Sequence, residues 1–270
     1  MKGQAMKKYL AAVLFSAAAF VFAGVDYDLD SVKEWNKPKN LTQLGDNIIV
    51  DGPVRIESKK IFDIDPAKVY KLELKAKNIG KTPVTVSFGF ALYNAAGKRG
   101  IVCEHVQPVP GTFCKLAKSV KKGDTEIFLD KDAAKWSTKK GLCIAIRAKA
   151  DLADLPNFNI IYRSAKSIEK SPEGFKVTLN KPMTRALAAG TAIRQHVVGG
   201  HMYTAGIRRL AAGKVIEMEG YASGVHDGTG LEKNKWSKYA GKARVILVIR
   251  GAKSSKVEID DIELEIDDRK

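Results

Sequence analysis

Residues 243–266 constrain the fold more tightly than any other stretch, because they hold two apolar runs of different kinds. In the first, ARVILVIR, Val245, Leu247 and Ile249 occupy one face of an extended chain, and Ile246 and Val248 the other. A strand apolar on both faces is buried on both faces, so it belongs in the middle of a sheet. The second run, VEIDDIELEI, alternates through Val257 and Ile259 and resumes at Ile262, Leu264 and Ile266. The spacing slips by one residue at Asp260 and Asp261, as a β-bulge requires. Between the runs, GAKSSK (residues 251–256) has the composition of a turn, and a hairpin is expected there.

The other end of the chain carries a different signal. Lys2, Lys7 and Lys8 precede an apolar stretch over residues 9–22, and Val21, Phe22 and Ala23 precede Gly24. A basic region, a short apolar region and a small residue at the cut describe a secretory leader. About 14 apolar residues fall short of the roughly 20 that a spanning helix needs, which disfavours the alternative of a membrane anchor. The expected product is therefore secreted, periplasmic or surface-located, without stable membrane insertion. Loss of residues 1–23 removes three lysines and no acid, lowering the formal charge from +16 to +13. Such an excess attracts polyanions. Nucleic acid is not expected as a partner of an exported chain, and a solvated lysine surface is the ordinary alternative.

The three cysteines leave one unpaired. In an oxidising compartment Cys103 with Cys114 is the expected disulfide, closing a short loop for about 3 kcal/mol on the loop-entropy account. Cys143 lies in LCIAI, a buried-strand pattern, and is expected as a core thiol.

Along the chain the signals are all for strands. Residues 69–77 alternate cleanly, with Tyr70, Leu72, Leu74 and Ala76 on one face and lysines and Glu73 on the other. Val84, Val86, Phe88, Phe90 and Leu92 then line a core face. Thr85, Ser87, Gly89 and Ala91, with Tyr93 at the end, leave room on the opposite face for a ligand or a crossing chain. From residue 104 the pattern changes to short strands, tight turns and small loops, and near residue 201 the longer strands resume. The frames FDIDPAKVYKLELKAK, VSFGFALYNAAGK, KYAGKARVILVIRG and KVEIDDIELEI resemble the carbohydrate-binding jelly rolls of secreted glycoside hydrolases. GDTEIFLDKDAAKW through NKPMTRALAAGTAIRQH resembles a small β module of bacterial surface and exported proteins. The resemblance implies an all-β jelly-roll sandwich, residues 24–103 and 201–270, interrupted by an inserted β domain over 104–200.

Site candidates follow from residue chemistry. Ser223, His226 and Asp227 crowd one glycine-rich loop, whereas catalytic triads draw on distant segments, so no catalytic residue is assigned. His105, His196 and His201 fall near the two ends of the insertion, where zinc is conceivable but surface and hinge histidines are commoner. Asp260, at the bulge beside Asp261, is the metal candidate, with Glu57 as a conceivable partner. Carboxylates suit calcium, and the resemblance implies a structural calcium near this strand. Sugar binding calls for aromatic faces; Tyr203, Tyr93, Tyr221 and Trp236 are the candidates, Trp236 having a core plug as its alternative. The expected function is that of an exported, non-catalytic carbohydrate-binding protein, for an anionic polysaccharide. The alternatives are a structural or adhesion protein of the cell envelope with a protein partner, and a polysaccharide-processing enzyme whose carboxylates the sequence does not single out.

Overall fold

The computed structural model describes residues 25–36 and 39–268; the expected leader lies outside them. The first part of the chain supplies β1 (Val25–Asp28), β2 (Leu41–Leu44), β3 (Asn47–Asp51), β4 (Val54–Glu57), β5 (Phe62–Asp63), β6 (Lys68–Asn78), β7 (Val84–Tyr93) and β8 (Gly100–Ile101). A single turn of helix, α1 (Cys103–Val106), leads into β9 (Cys114–Lys115), β10 (Glu126–Leu129), β11 (Leu142–Ile146), β12 (Ile160–Ile161), β13 (Ala165–Ser171), β14 (Gly174–Leu179) and β15 (Ala192–Val197). The last part supplies β16 (Met202–Leu210), β17 (Val215–Ser223), β18 (Val225–His226), β19 (Trp236–Ser237), β20 (Lys242–Arg250) and β21 (Lys256–Asp268).

Two sheets make an all-β sandwich. One runs β17–β6–β21–β3–β2 with β1 on β21; the other runs β16–β7–β20–β4 with β5 and β8 at its margins. Their facing sides share one core, in which Tyr70, Leu72 and Leu74 meet Phe88, Phe90 and Leu247. The alternation of β6 buries those residues and leaves Lys71 and Glu73 outside, because successive side chains of a strand point to opposite faces. Strand β20 lies between β7 and β4 with both faces covered, as its double apolar pattern requires.

The expected hairpin over residues 251–256 is not formed. Strand β20 belongs to one sheet and β21 to the other, where it pairs with β6 and β3. The turn, in which the Ser255 hydroxyl donates to Ala252 O (2.7 Å), crosses between sheets. Each run then presents its apolar face to the same core from opposite sides. The bulge is present: the β21–β6 register shifts between Asp260 and Glu263, and Asp261 takes a φ of 51°.

Residues 114–193 hold a second core, built by Ile127, Leu129, Trp136, Ile144, Val177 and Ile193 among others. It lies among two small sheets, β10–β14–β13 and β12–β11–β15–β9. The buried residues of the sandwich core run up to Val106 and resume at Met202, with Phe158 of the intervening segment packed against them. The buried Arg194–Asp154 pair (2.9 Å) ties β15 to the 149–157 loop, and Arg194 also donates to Lys149 O and to His196 Nε2.

The three cysteines are free thiols, which corrects the expected bridge. Cys114 points into the insert core, while Cys103 opens α1 with its sulfur against Gly199. The two side chains are thus committed to different packing environments.

Candidate functional site

The outward face of the β16–β7–β20–β4 sheet is unlike the outward face of its partner. Strand register places Tyr203, Gly89, Ile246 and Glu57 in one row across four strands, with Ser87, Val248 and Arg55 in the next. At about 4.8 Å per strand, the row from Tyr203 to Glu57 spans roughly 14 Å. Ala91, Ile246 and Val248 form a buried apolar floor, with Tyr93 and Tyr203 packed against it. Gly89 is small for a local reason: a Cβ there would meet the Met202 carbonyl and Thr204 N where bulged β16 crosses. The glycine there accommodates the neighbouring strand of its own sheet.

At the Glu57 end, Tyr93 donates its hydroxyl to one oxygen of Glu57, and Arg55 lies 3.3 Å from the other. Burial, then the bond to Glu57, pushes the Tyr93 hydroxyl up to about 12, so it stays a donor. Arg244 sits 5.8 Å above the Tyr93 ring and donates to the carbonyls of Ser58 (2.6 Å) and Lys59. Beside these groups is a cavity of about 560 Å³ lined by Asn36, Arg55, Glu57 and Tyr93.

At the other end the insert closes the groove. Glu104 of α1, 6% exposed, accepts from Tyr162 Oη (2.7 Å) and from Gly199 N (3.2 Å). Tyr162 itself is 56% exposed, an aromatic ring in solvent with its hydroxyl tied to a buried carboxylate. Burial and the Glu104 bond hold that hydroxyl up near 12. His201, 8% exposed, faces Arg55 through Nε2. A guanidinium can only donate, so Nε2 accepts and the ring proton sits on Nδ1. That Nδ1 is buried without a partner among the described residues. Burial first, then the charge of Arg55, lowers His201 to about 4 and keeps it neutral. These groups border a cavity of about 880 Å³ together with Tyr203, Val248 and Arg250. A further cavity of about 640 Å³ adjoins it at Gly100, lined by Arg99, Arg147 and Phe158.

The sequence candidates are scattered over this framework. Tyr203 and Tyr93 stand on the outward face just described. Tyr221 is on the outward face of the other sheet, opposite Lys71, with its hydroxyl on Glu219. Trp236 is buried between Tyr70 and Phe90 and is a core plug, not a surface contact. Asp260 meets Asp261 and Asp30, their carboxylate oxygens lying within 4.8 Å of one another. Glu57 takes no part there, since β4 is in the opposite sheet. Asp30 accepts from Ile262 N (2.7 Å), yet burial, with help from the neighbouring acids, raises it to about 6. The histidines do not converge: His196 spends both nitrogens on Glu104 O and Arg194 Nε, and the His105 ring packs on Phe158. His226 is held by Glu232 at 2.8 Å. Sequence reasoning missed Tyr162, Glu104, Arg55 and Arg250. A tyrosine directly after the apolar pair Ile160 and Ile161 was the one available signal.

Fold and site together define an all-β sandwich protein with an aromatic- and arginine-lined groove where sandwich and insert meet. No family model matches the chain, and no curated protein matches it. Among solved structures it is similar to the crystal structure of LamAcat, a laminarinase catalytic domain, from Zobellia galactanivorans. The identity is 14%, over 86% of this chain and 81% of that one, with a TM-score of 0.26. An overlap that loose transfers no residue. The neighbour is a catalytic domain, so the expectation that the chain is non-catalytic is withdrawn, and at that TM-score the likeness carries no argument for an activity either.

Proposed function

We propose that the protein binds polysaccharide in the groove between the outward sheet face and the insert. The observation that carries this reading is Tyr162, a solvent-exposed ring fixed through its hydroxyl by buried Glu104, at the edge of a cavity that Tyr203 also lines. Pyranose rings present apolar C–H faces that aromatic side chains cover, while hydroxyls need polar groups at the margin. Tyr203 and Tyr162 supply the first, and Arg55, Arg250 and the glycine backbone at residues 199–200 supply the second. Calorimetry with a panel of soluble polysaccharides tests the reading. Tyr162→Ala and Tyr203→Ala should each weaken binding about five- to tenfold, as loss of one aromatic contact does. Unchanged affinity in both variants would refute the site.

The proposal includes a structural cation at Asp30, Asp260 and Asp261. Three carboxylates converging at a bulge, with Asp30 left protonated at an unusually high pH, make an all-oxygen donor set short of positive charge. Calcium there would pin the start of the chain to β21 and brace the fold. Export to an envelope or extracellular location, where such polymers are met, is part of the same proposal.

A further inference from the structure

Exposed arginines gather along the junction of sandwich and insert. We propose that Arg55, Arg250 and His201 in one cavity, and Arg99 and Arg147 in the adjoining one, form two subsites that read acidic groups on the bound glycan; this deepens the polysaccharide reading and rests on it. The carboxylates near these cavities are already engaged. Glu57, 19% exposed, holds Tyr93 and Arg55; Glu104 holds Tyr162 and Gly199; Asp154 holds Arg194. The charges that reach solvent are the cationic ones. Arg55 is 56% exposed and, among the described residues, engages partners only through Nη2, leaving Nε and Nη1 to donate. Arg250 is exposed and makes no side-chain hydrogen bond or ion pair among the described residues. A guanidinium presents paired N–H groups that match the two oxygens of a carboxylate or sulfate, which a lysine cannot do.

His201 supplies the independent observation. Its ring borders the same cavity, and its Nδ1–H is buried with no acceptor among the described residues. An orphaned buried donor costs free energy that a small turn of the ring toward an acceptor on a ligand, or toward a water held by that ligand, would recover. In the adjoining cavity Arg99 lies 5.1 Å from the Phe158 ring centroid, which orients it, and Arg147 is exposed with a φ of 56°. Both cavities include Gly100, so a single extended strand can pass from one to the other. A carboxylate and a sulfate ester share this chemistry.

Calorimetry on the full chain separates the sources and the mechanism. The probes are polygalacturonate and its fully methyl-esterified form, and dextran sulfate and dextran, all at one ionic strength. Binding to either acidic polymer above its neutral counterpart supports the proposal, and the better of the two identifies the acid group. Arg55→Gln with Arg250→Gln, and Arg99→Gln with Arg147→Gln, should each weaken acidic-polymer binding about tenfold, a larger factor than the same variants take from neutral-polymer binding. Arg250→Gln alone, at a side chain that contacts no partner, should weaken it about threefold and guards against loss of fold. Lys166→Gln with Lys170→Gln, the same charge change on β13, should have less than about a twofold effect. An equal loss in the lysine variant would overturn the proposal in favour of dispersed charge. Equal affinity for acidic and neutral polymers would also overturn it while leaving the groove reading intact. Binding to no polymer at all would remove the groove reading and this proposal together.

Discussion

Acid should destabilise this protein well above the carboxylate range, through His196. Its ring is fully buried at the base of the insert; Nδ1 donates to Glu104 O at 2.7 Å and Nε2 accepts from Arg194 Nε at 3.0 Å. Protonation would put an N–H against the guanidinium. Burial first, then Arg194, lowers the imidazole from 6.5 to about 4. The folded-state value is depressed, so the stabilisation is present in full above pH 6.5 and is lost as pH falls toward 4. Within that window the unfolded chain binds a proton that the native state refuses, at about 1.4 kcal/mol per pH unit. Going from pH 7 to pH 5 therefore costs about 2 kcal/mol through this residue. His201, also lowered to about 4, adds a cost of the same sign, whereas half-exposed Asp30, raised to about 6, recovers a fraction of it. The perturbation that isolates His196 is His196→Asn, whose amide can still donate to the Glu104 carbonyl but does not titrate. Urea unfolding at pH 7, 6 and 5 should show the variant less stable at pH 7 but losing about 2 kcal/mol less than wild type by pH 5. Equal losses in the two proteins, or an imidazole resonance of folded His196 that titrates near 6.5, would refute the reasoning.

Other consequences can be measured on the same footing. Arg194→Ala leaves Asp154 buried without its partner and should cost about 3–5 kcal/mol in urea unfolding, whereas a loss below about 1 kcal/mol would mean the loop simply opens to water. Gly89→Ala forces β16 away from β7 and should lower stability by about 1–3 kcal/mol; an unchanged melting temperature would contradict the close approach. Calcium should raise the melting temperature of wild type and not of Asp30→Asn, with EDTA reversing the gain; an equal response in both would discard the cluster. Replacing residues 104–200 by a short Gly/Ser linker should leave a folded sandwich, and an unfolded product would show that the two cores depend on each other.

Strand content and facing were readable from the sequence because they depend on local alternation. The burial of Tyr70, Leu72 and Leu74, the central place of β20 and the bulge at Asp260 and Asp261 all follow from which neighbours along the chain are apolar. Pairing partners were not readable in the same way. The turn over residues 251–256 has a hairpin's composition, and only the shared core decides that β20 and β21 join different sheets. The same holds for the cysteines, whose short separation says nothing about the two packing environments that their side chains enter.

The sequence by itself determined an all-β chain with one strand apolar on both faces and a change of pattern near residues 104 and 201. Tertiary structure alone decided the groove. Tyr162, Glu104, Arg55 and His201 are separated by up to 146 residues and share no periodicity; each is unremarkable in its own segment. They meet because the insert returns the chain beside the edge of the sheet it left, between β8 and β16. Alternation is a property of neighbours in sequence, so a single chain displays it. A binding surface is a property of neighbours in space, fixed here by strand register and by one buried carboxylate that holds an exposed ring in place.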